Sequence, residues 1–169
     1  MDGIIRGGNV YVQEINQRLH LDNFKLPPLK REMIDFFMGG GFFKVSLPGE
    51  VSPLVAEMAV DGSHQSLRSR FGREPGDWTT VTYYERLLDA TTGVNKGRIV
   101  MLRGLLNEIE PAGVEGLKAK DKTMTRFSSI VLYHDIVDGV TAHKFDVFTN
   151  TLIIDGTNYT AEHNRLIAA

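Results

Sequence analysis

A mainly β protein, an antiparallel β-sandwich or barrel with one short α-helix and a long protruding hairpin, is the fold class this sequence predicts. Three observations predict it. β-Branched and aromatic residues cluster in short runs between turn signals along most of the chain. Asp138–Gly139 separates two apolar runs, the strongest short hairpin signal present. Only residues 61–71 carry a convincing helical pattern.

In chain order, residues 9–13 read as the first strand. Leu26, the Pro27–Pro28 pair and Leu29 open a second extended run. Proline fixes φ and lacks a donor, so the pair marks a strand start or edge. Residues 33–47 then read as a long hairpin, with Phe36, Phe37, Phe42 and Phe43 around a glycine tip of Gly39, Gly40 and Gly41. Phenylalanines around such a tip are hard to bury within one subunit, and an exposed aromatic patch marks a partner surface. The plainer alternative folds them back onto the protein's own core.

Residues 51–60 resume strand character. The helix over 61–71 takes Asp61 or Ser63 as its cap, places Leu67 and Phe71 on one face, and ends at Gly72. Residues 78–87 follow, with Trp78, Thr80, Thr82 and Tyr84 on one face at period two. A turn at 94–96 leads into a long apolar strand over 98–109. Residues 111–122, with mixed charge and two glycines, are a loop.

Strands over 127–137 and 140–148 flank the Asp138–Gly139 turn. A two-residue loop there pairs Val137 with Val140, hence Leu132 with Phe145 and His134 with His143. The first of these strands is apolar on both faces, with Ile130, Leu132 and Ile136 on one and Phe127, Val131 and Val137 on the other. A second apolar face needs a helix, another sheet or a neighbouring subunit to cover it. Residues 151–154 continue the sheet, and residues 160–167 form a short terminal helix with Thr160 as cap.

The 169 residues suit one domain with one core, in which 33–47 protrude, 111–123 loop out and 157–169 form a C-terminal segment. The longest apolar stretches, such as 129–133, fall far short of the ~20 residues of a membrane-spanning helix. Residues 1–16 carry glycine, amides and charges where a signal peptide has its apolar region. There is no cysteine, which excludes disulfides, thiolate metal sites and cysteine nucleophiles. The net charge of −2 lacks the basic excess of a phosphate-neutralising protein, so contact with DNA is expected to be slippery at most.

No constellation carries enzyme chemistry. The cross-strand pair His134 and His143 begins a metal site but lacks a third ligand, since Asp135 points to the opposite face. Gly39–Gly41 lacks the Gly-Lys-Ser/Thr ending of a phosphate loop, and no Gly-x-Ser-x-Gly elbow occurs. Glu108 with Glu110, and Arg68 with Arg70, read as solvated surface. No catalytic residue, metal ligand or cofactor site is expected.

Five places, taken in order, resemble the major tail tube proteins of contractile-tailed phages and the related tubes of R-type bacteriocins. Asn9–Val10–Tyr11–Val12 looks like the family's opening strand. Leu26–Pro27–Pro28–Leu29–Lys30 resembles its Leu-Pro-x-Leu signature, and the Gly39–Gly41 tip stands where the family has a glycine-containing loop. Leu102–Arg103–Gly104–Leu105–Leu106–Asn107–Glu108–Ile109 is the nearest match, and residues 128–133, the Asp138–Gly139 turn and the strand with Asp146 follow in the family's order. The family's later Asn-Gly-Val-Asp stretch reads Asp155–Gly156–Thr157–Asn158 here, a departure that bears on C-terminal contacts.

The resemblance implies a structural, non-enzymatic subunit without cofactor, closed into hexameric rings that stack into a hollow tube. Its implied partners are further copies of itself, a tail sheath protein, a baseplate or initiator protein, a tape-measure protein, and DNA held only non-specifically in the lumen. The subunit itself would bind no membrane, and it would be assembled in the host cytoplasm into the virion tail. The 33–47 hairpin would reach a neighbouring ring or subunit, with Phe36, Phe37, Phe42 and Phe43 as anchors. Two alternatives stand beside this: a tube subunit of a bacteriocin or secretion-type injection system, and a ligand-binding β-sandwich using Trp78, Tyr83 and Tyr84 as an aromatic platform. Against that platform, Trp78 is expected to pack inward as core filler.

Overall fold

The computed structural model describes residues 3–62, 64–113, 116 and 120–169. Among them the chain is mostly strand, and every strand ladder is antiparallel. β1 (Gly3–Val12) extends well N-terminal of the expected 9–13 because it pairs along its length with β7 (Thr79–Asp89). It ends at Gln13, whose φ is 56°, and a short β2 (Ile15–Asn16) folds back on it. β3 (Leu21–Lys25) has no counterpart in the sequence reading; its charged and amide residues hide an edge strand. Leu26–Leu29 forms no ladder and instead links β3 to the next strand, as two consecutive residues without N–H donors favour.

The expected hairpin is present and longer, formed by β4 (Arg31–Phe37) and β5 (Lys44–Val51). It constitutes a separate two-stranded sheet. Every other described strand joins one sheet. β6 (Ala56–Asp61) starts later than residue 51, because Val51 belongs to the hairpin. β8 (Asn95–Pro111) and β9 (Lys122–Val137) form its spine, followed by β10 (Val140–Asp146), β11 (Thr151–Ile154) and β12 (Thr157–Asn158).

The spine explains how one sheet makes two layers. Along its first half β9 pairs with β6; along its second half the same edge pairs with β10. Between the halves β9 bulges: Ser128 faces Leu105 and Leu132 faces Arg103, with Ser129 at φ 52°. Gly104 accommodates the bulge, since a Cβ there would lie 2.8 Å from the Ser128 carbonyl oxygen. The bend lays β3 and β6 over β1 and β7, so that Phe24 stacks on Tyr83 at 4.8 Å although their strands are not sheet neighbours. The sheet order ends at β12 and β2, which makes a sandwich-like fold and not a closed barrel.

The core lies between these layers. Val10, Val81, Val100 and Leu102 face Met58, Val60, Leu106 and Phe127, all buried. Full burial of a large apolar side chain contributes about 1.5–3 kcal/mol each, so these rows hold the layers together. On β7 the buried face is Thr79, Val81, Tyr83 and Glu85; Trp78, Thr80, Thr82 and Tyr84 do share a face, but it is the outer one.

The helices are short. α1 covers only Gln65–Arg68, with His64 as its N-cap residue and no side-chain cap bond. Asp61 is not a cap, because it ends β6 opposite Lys122; Ser63, the other candidate, lies outside the described residues. Leu67 is buried while Phe71 is exposed and bridges to Leu106. α2 (Ala161–Ile167) stands where the terminal helix was expected, but the Thr160 hydroxyl accepts from the Leu152 N–H instead of capping it. The expected loop is narrower, since Lys122 already belongs to β9, and residues 114, 115 and 117–119 lie outside the described set. The preceding turn falls before Asn95, N-terminal of the expected 94–96, with Asp89 Oδ1 accepting from Thr91 and Thr92 N–H.

Candidate functional site

The hairpin leaves the body at a fixed neck. Pro27 is buried, Ser52 N–H donates to the Lys30 carbonyl at 2.8 Å, and Arg31 Nε donates to the Gly49 carbonyl at 2.9 Å. Beyond the neck the two strands pair only with each other. Register sorts their side chains. Ile34 opposes Leu47 and Phe36 opposes Val45, so one face of the ribbon is apolar. The other face pairs Met33 with Pro48, Asp35 with Ser46 and Phe37 with Lys44, and Ser46 Oγ donates to Asp35 at 2.6 Å.

All four phenylalanines singled out from the sequence are exposed, Phe42 at 99% and Phe43 at 83%. They do not fold back onto the core. The tip is closed by Gly41 N–H donating to the Met38 carbonyl at 2.9 Å, with Gly40 at φ 83°. A lone two-stranded ribbon is at best marginally stable in water, and this one exposes apolar residues on both faces. Such a surface calls for a partner.

A groove lies at the base of the hairpin, where no sequence signal announced it. Val51 from β5 lines it with Phe145, Val147 and Leu152, over a volume of about 410 Å³. A smaller lobe of about 120 Å³ adjoins it, sharing Val51, Phe145 and Val147 and adding Ile130 and Val131. Ile130 and Val131, which strict alternation puts on opposite faces, both line this lobe next to the bulge at Ser129. The far wall is held by Asn150 Nδ2 donating to Asn164 Oδ1 at 2.7 Å and Asn164 Nδ2 donating to the Asn150 carbonyl at 3.0 Å.

The expected histidine pair does not form. Val137 opposes Val140 across a turn whose residues both have positive φ, as Asp-Gly favours. A bulge between Thr141 and His143 then shifts the register, so that His134 opposes Lys144, His143 opposes Asp135 and Phe145 opposes Tyr133. His134 instead bonds Thr141 Oγ1 at 3.1 Å, and burial, then Lys144, holds its pKa below the usual histidine value. Among the described residues no three His, Asp or Glu side chains converge as a metal site.

The aromatic platform does not assemble either. Tyr83 is buried, Tyr84 is exposed on the opposite face, and half-buried Trp78 meets Phe148 edge-on at 5.9 Å instead of packing inward. Charged groupings do form. On the outer face of β6, β8 and β9, Arg126 bridges Glu57 at 3.0 Å and Glu108 at 3.1 Å, while Lys25 lies 3.7 Å from Glu57. Inside, Arg98 grips Asp135 through two bonds of 3.0 and 2.7 Å beside Glu85, which accepts from Tyr83 OH at 2.5 Å. Arg70, read as solvated, donates to the Trp78 carbonyl and Thr79 Oγ1 and ties the α1 segment to β7.

A family model described as phage tail tube protein FII matches residues 2–167. The chain belongs to that family. The match spans the hairpin, the groove and both helices of this tail tube protein. Among curated proteins no match was found. Among solved structures, the chain is similar to one from the PVC sheath–tube complex of an extracellular contractile injection system in the extended state. That likeness has a TM-score of 0.55 at 9% identity, covering 77% of this chain and 86% of the other. A second, from the sheath/tube terminator of the same kind of system, has a TM-score of 0.51 at 10% identity, covering 78% of this chain and 93% of that one. At these identities the likeness shows a shared fold.

Proposed function

We propose that this tail tube protein closes into hexameric rings that stack into the hollow inner tube of a contractile tail. The whole chain acts as a single tube domain and does no catalysis. The observation that carries this beyond family membership is the hairpin: an apolar ribbon with exposed Phe36, Phe37, Phe42 and Phe43 pairs with no other strand among the described residues. These four residues anchor it to a neighbouring subunit or ring. Burying such ribbons around a ring gives the large apolar contact, on the order of 2,000 Å² or more, that an obligate assembly needs.

A tail sheath protein surrounds the tube, a baseplate protein initiates it, and a tape-measure protein sets its length. DNA passes along the lumen without specific contacts, in keeping with a net charge of −2. The protein is assembled in the host cytoplasm and resides in the virion tail. A second reading, the tube of an extracellular injection particle, is favoured by the kind of system in which the similar solved structures occur. A neighbouring sheath gene is common to both, whereas head and packaging genes accompany only a phage.

The test is the double substitution Phe42→Ser with Phe43→Ser. It should give a folded subunit, judged by circular dichroism, that forms no long tubes in electron micrographs. Tubes of wild-type length from that variant would overturn the role of the hairpin.

A further inference from the structure

Resting on the tube reading, we propose that the hairpin tip of one copy docks into the groove at the hairpin base of the next copy. Phe42 and Phe43 lead, and Lys44 faces the groove's surplus carboxylate. The occupant is thus a second copy of this chain.

Shape supports the pairing first. The tip presents two adjacent, almost fully exposed phenylalanines, and the groove presents a larger and a smaller apolar lobe that share Val51, Phe145 and Val147. Charge supports it second. Residues 36–45 carry a single charge, Lys44, while the groove sets Glu50 and Asp146 against Arg31 alone. A tip of net +1 meets a groove of net −1.

Position supports it third. Tip and groove lie at opposite ends of one ribbon, whose seven-residue β4 spans ~23 Å at ~3.3 Å per residue. A contact between different patches on identical subunits is heterologous, and when it does not close on itself it repeats indefinitely along an axis. Docking tip into base, when it does not close into a ring, gives the axial repetition that a stack requires.

Size sets the strength. Two phenylalanines bury ~300–500 Å² between them. That falls short of the ~1,000 Å² of a stable independent interface, so one junction is weak and acts through repetition around a ring.

The chain has no cysteine, which makes engineered cross-links unambiguous. Met38→Cys at the tip and Thr151→Cys in the groove leave the anchors in place. Wild-type and double-cysteine protein are assembled, imaged, mildly oxidised and run on a non-reducing gel beside a Met38→Cys, Met124→Cys control on the distant charged face. Tubes with a ladder of covalent multimers only in the Met38–Thr151 variant support the docking. Tubes without that ladder, or with an equal ladder in the control, overturn it and leave the tube reading standing. A ladder without tubes supports the docking and removes the tube reading, and the absence of both tubes and ladder removes both. As an independent variant, Leu152→Trp fills the groove; with circular dichroism unchanged, tube mass should fall roughly tenfold or more, and undiminished tubes would overturn the docking.

Discussion

Arg98 sits among buried acids: it holds Asp135 by a two-pronged bond, and Glu85 lies 3.9 Å from it. Arg98→Met would leave both carboxylates buried without their cation, and is expected to lower unfolding free energy by about 3–5 kcal/mol in denaturant melts. The nearby phenols give a pH signature. Burial, then Asp135, pushes Tyr133 up to about 12, and burial with the Glu85 bond also raises Tyr83. The unfolded chain releases these protons near pH 10 while the native state retains them. Stability is therefore full below that pH and lost as pH rises toward 12, which alkaline melts followed at the tyrosinate absorbance should show. His134 works in the opposite direction. Its lowered pKa means the unfolded chain takes up the proton first, so stability falls as pH drops below 6.5, and His134→Gln should flatten that part of the profile. The residue types of this cluster were readable, but their partners were not. The displacement of His143 onto the face of Asp135 follows from a bulge at Ala142, where no glycine or proline marks the spot.

Gly104 is the clearest case of an element imposing its need on one position. A methyl group there would press on the Ser128 carbonyl at 2.8 Å and on Ile130 at 3.1 Å, across the bulge that divides β9 between two partners. Gly104→Ala should lower stability by about 1–3 kcal/mol. Gly97→Ala in the same strand, with open space around it, should not. Thermal melts of the pair separate crowding from any general effect of glycine in a strand. The Gly104 motif was readable as a motif, while its reason lies in a strand more than twenty residues away in the chain. The elements with local signatures were readable: the Asp138–Gly139 hairpin, the glycine-tipped ribbon and the long β8. β3 was not, because an edge strand with polar residues lacks the alternation that marks a half-buried one. The helical pattern over 61–71 yields only the short α1, because pairing with β9 holds Asp61 in β6.

At the scale of the whole molecule, the fold is a bent antiparallel sheet that buries one core and leaves one ribbon outside it. The class and the ribbon's aromatic residues were legible from composition and turn signals. The groove was not, because Val51 in the hairpin lies far along the chain from Phe145 and Leu152, which pair across β10 and β11. The family's tube-forming role turns on whether identical copies complete what one copy leaves exposed. Negative-stain electron microscopy of the purified protein, with light scattering on the same sample, tests this most directly. Rings or tubes with a central hole, growing with concentration, are the expected result. A monodisperse monomer at high concentration, unchanged when a baseplate initiator is added, would contradict it.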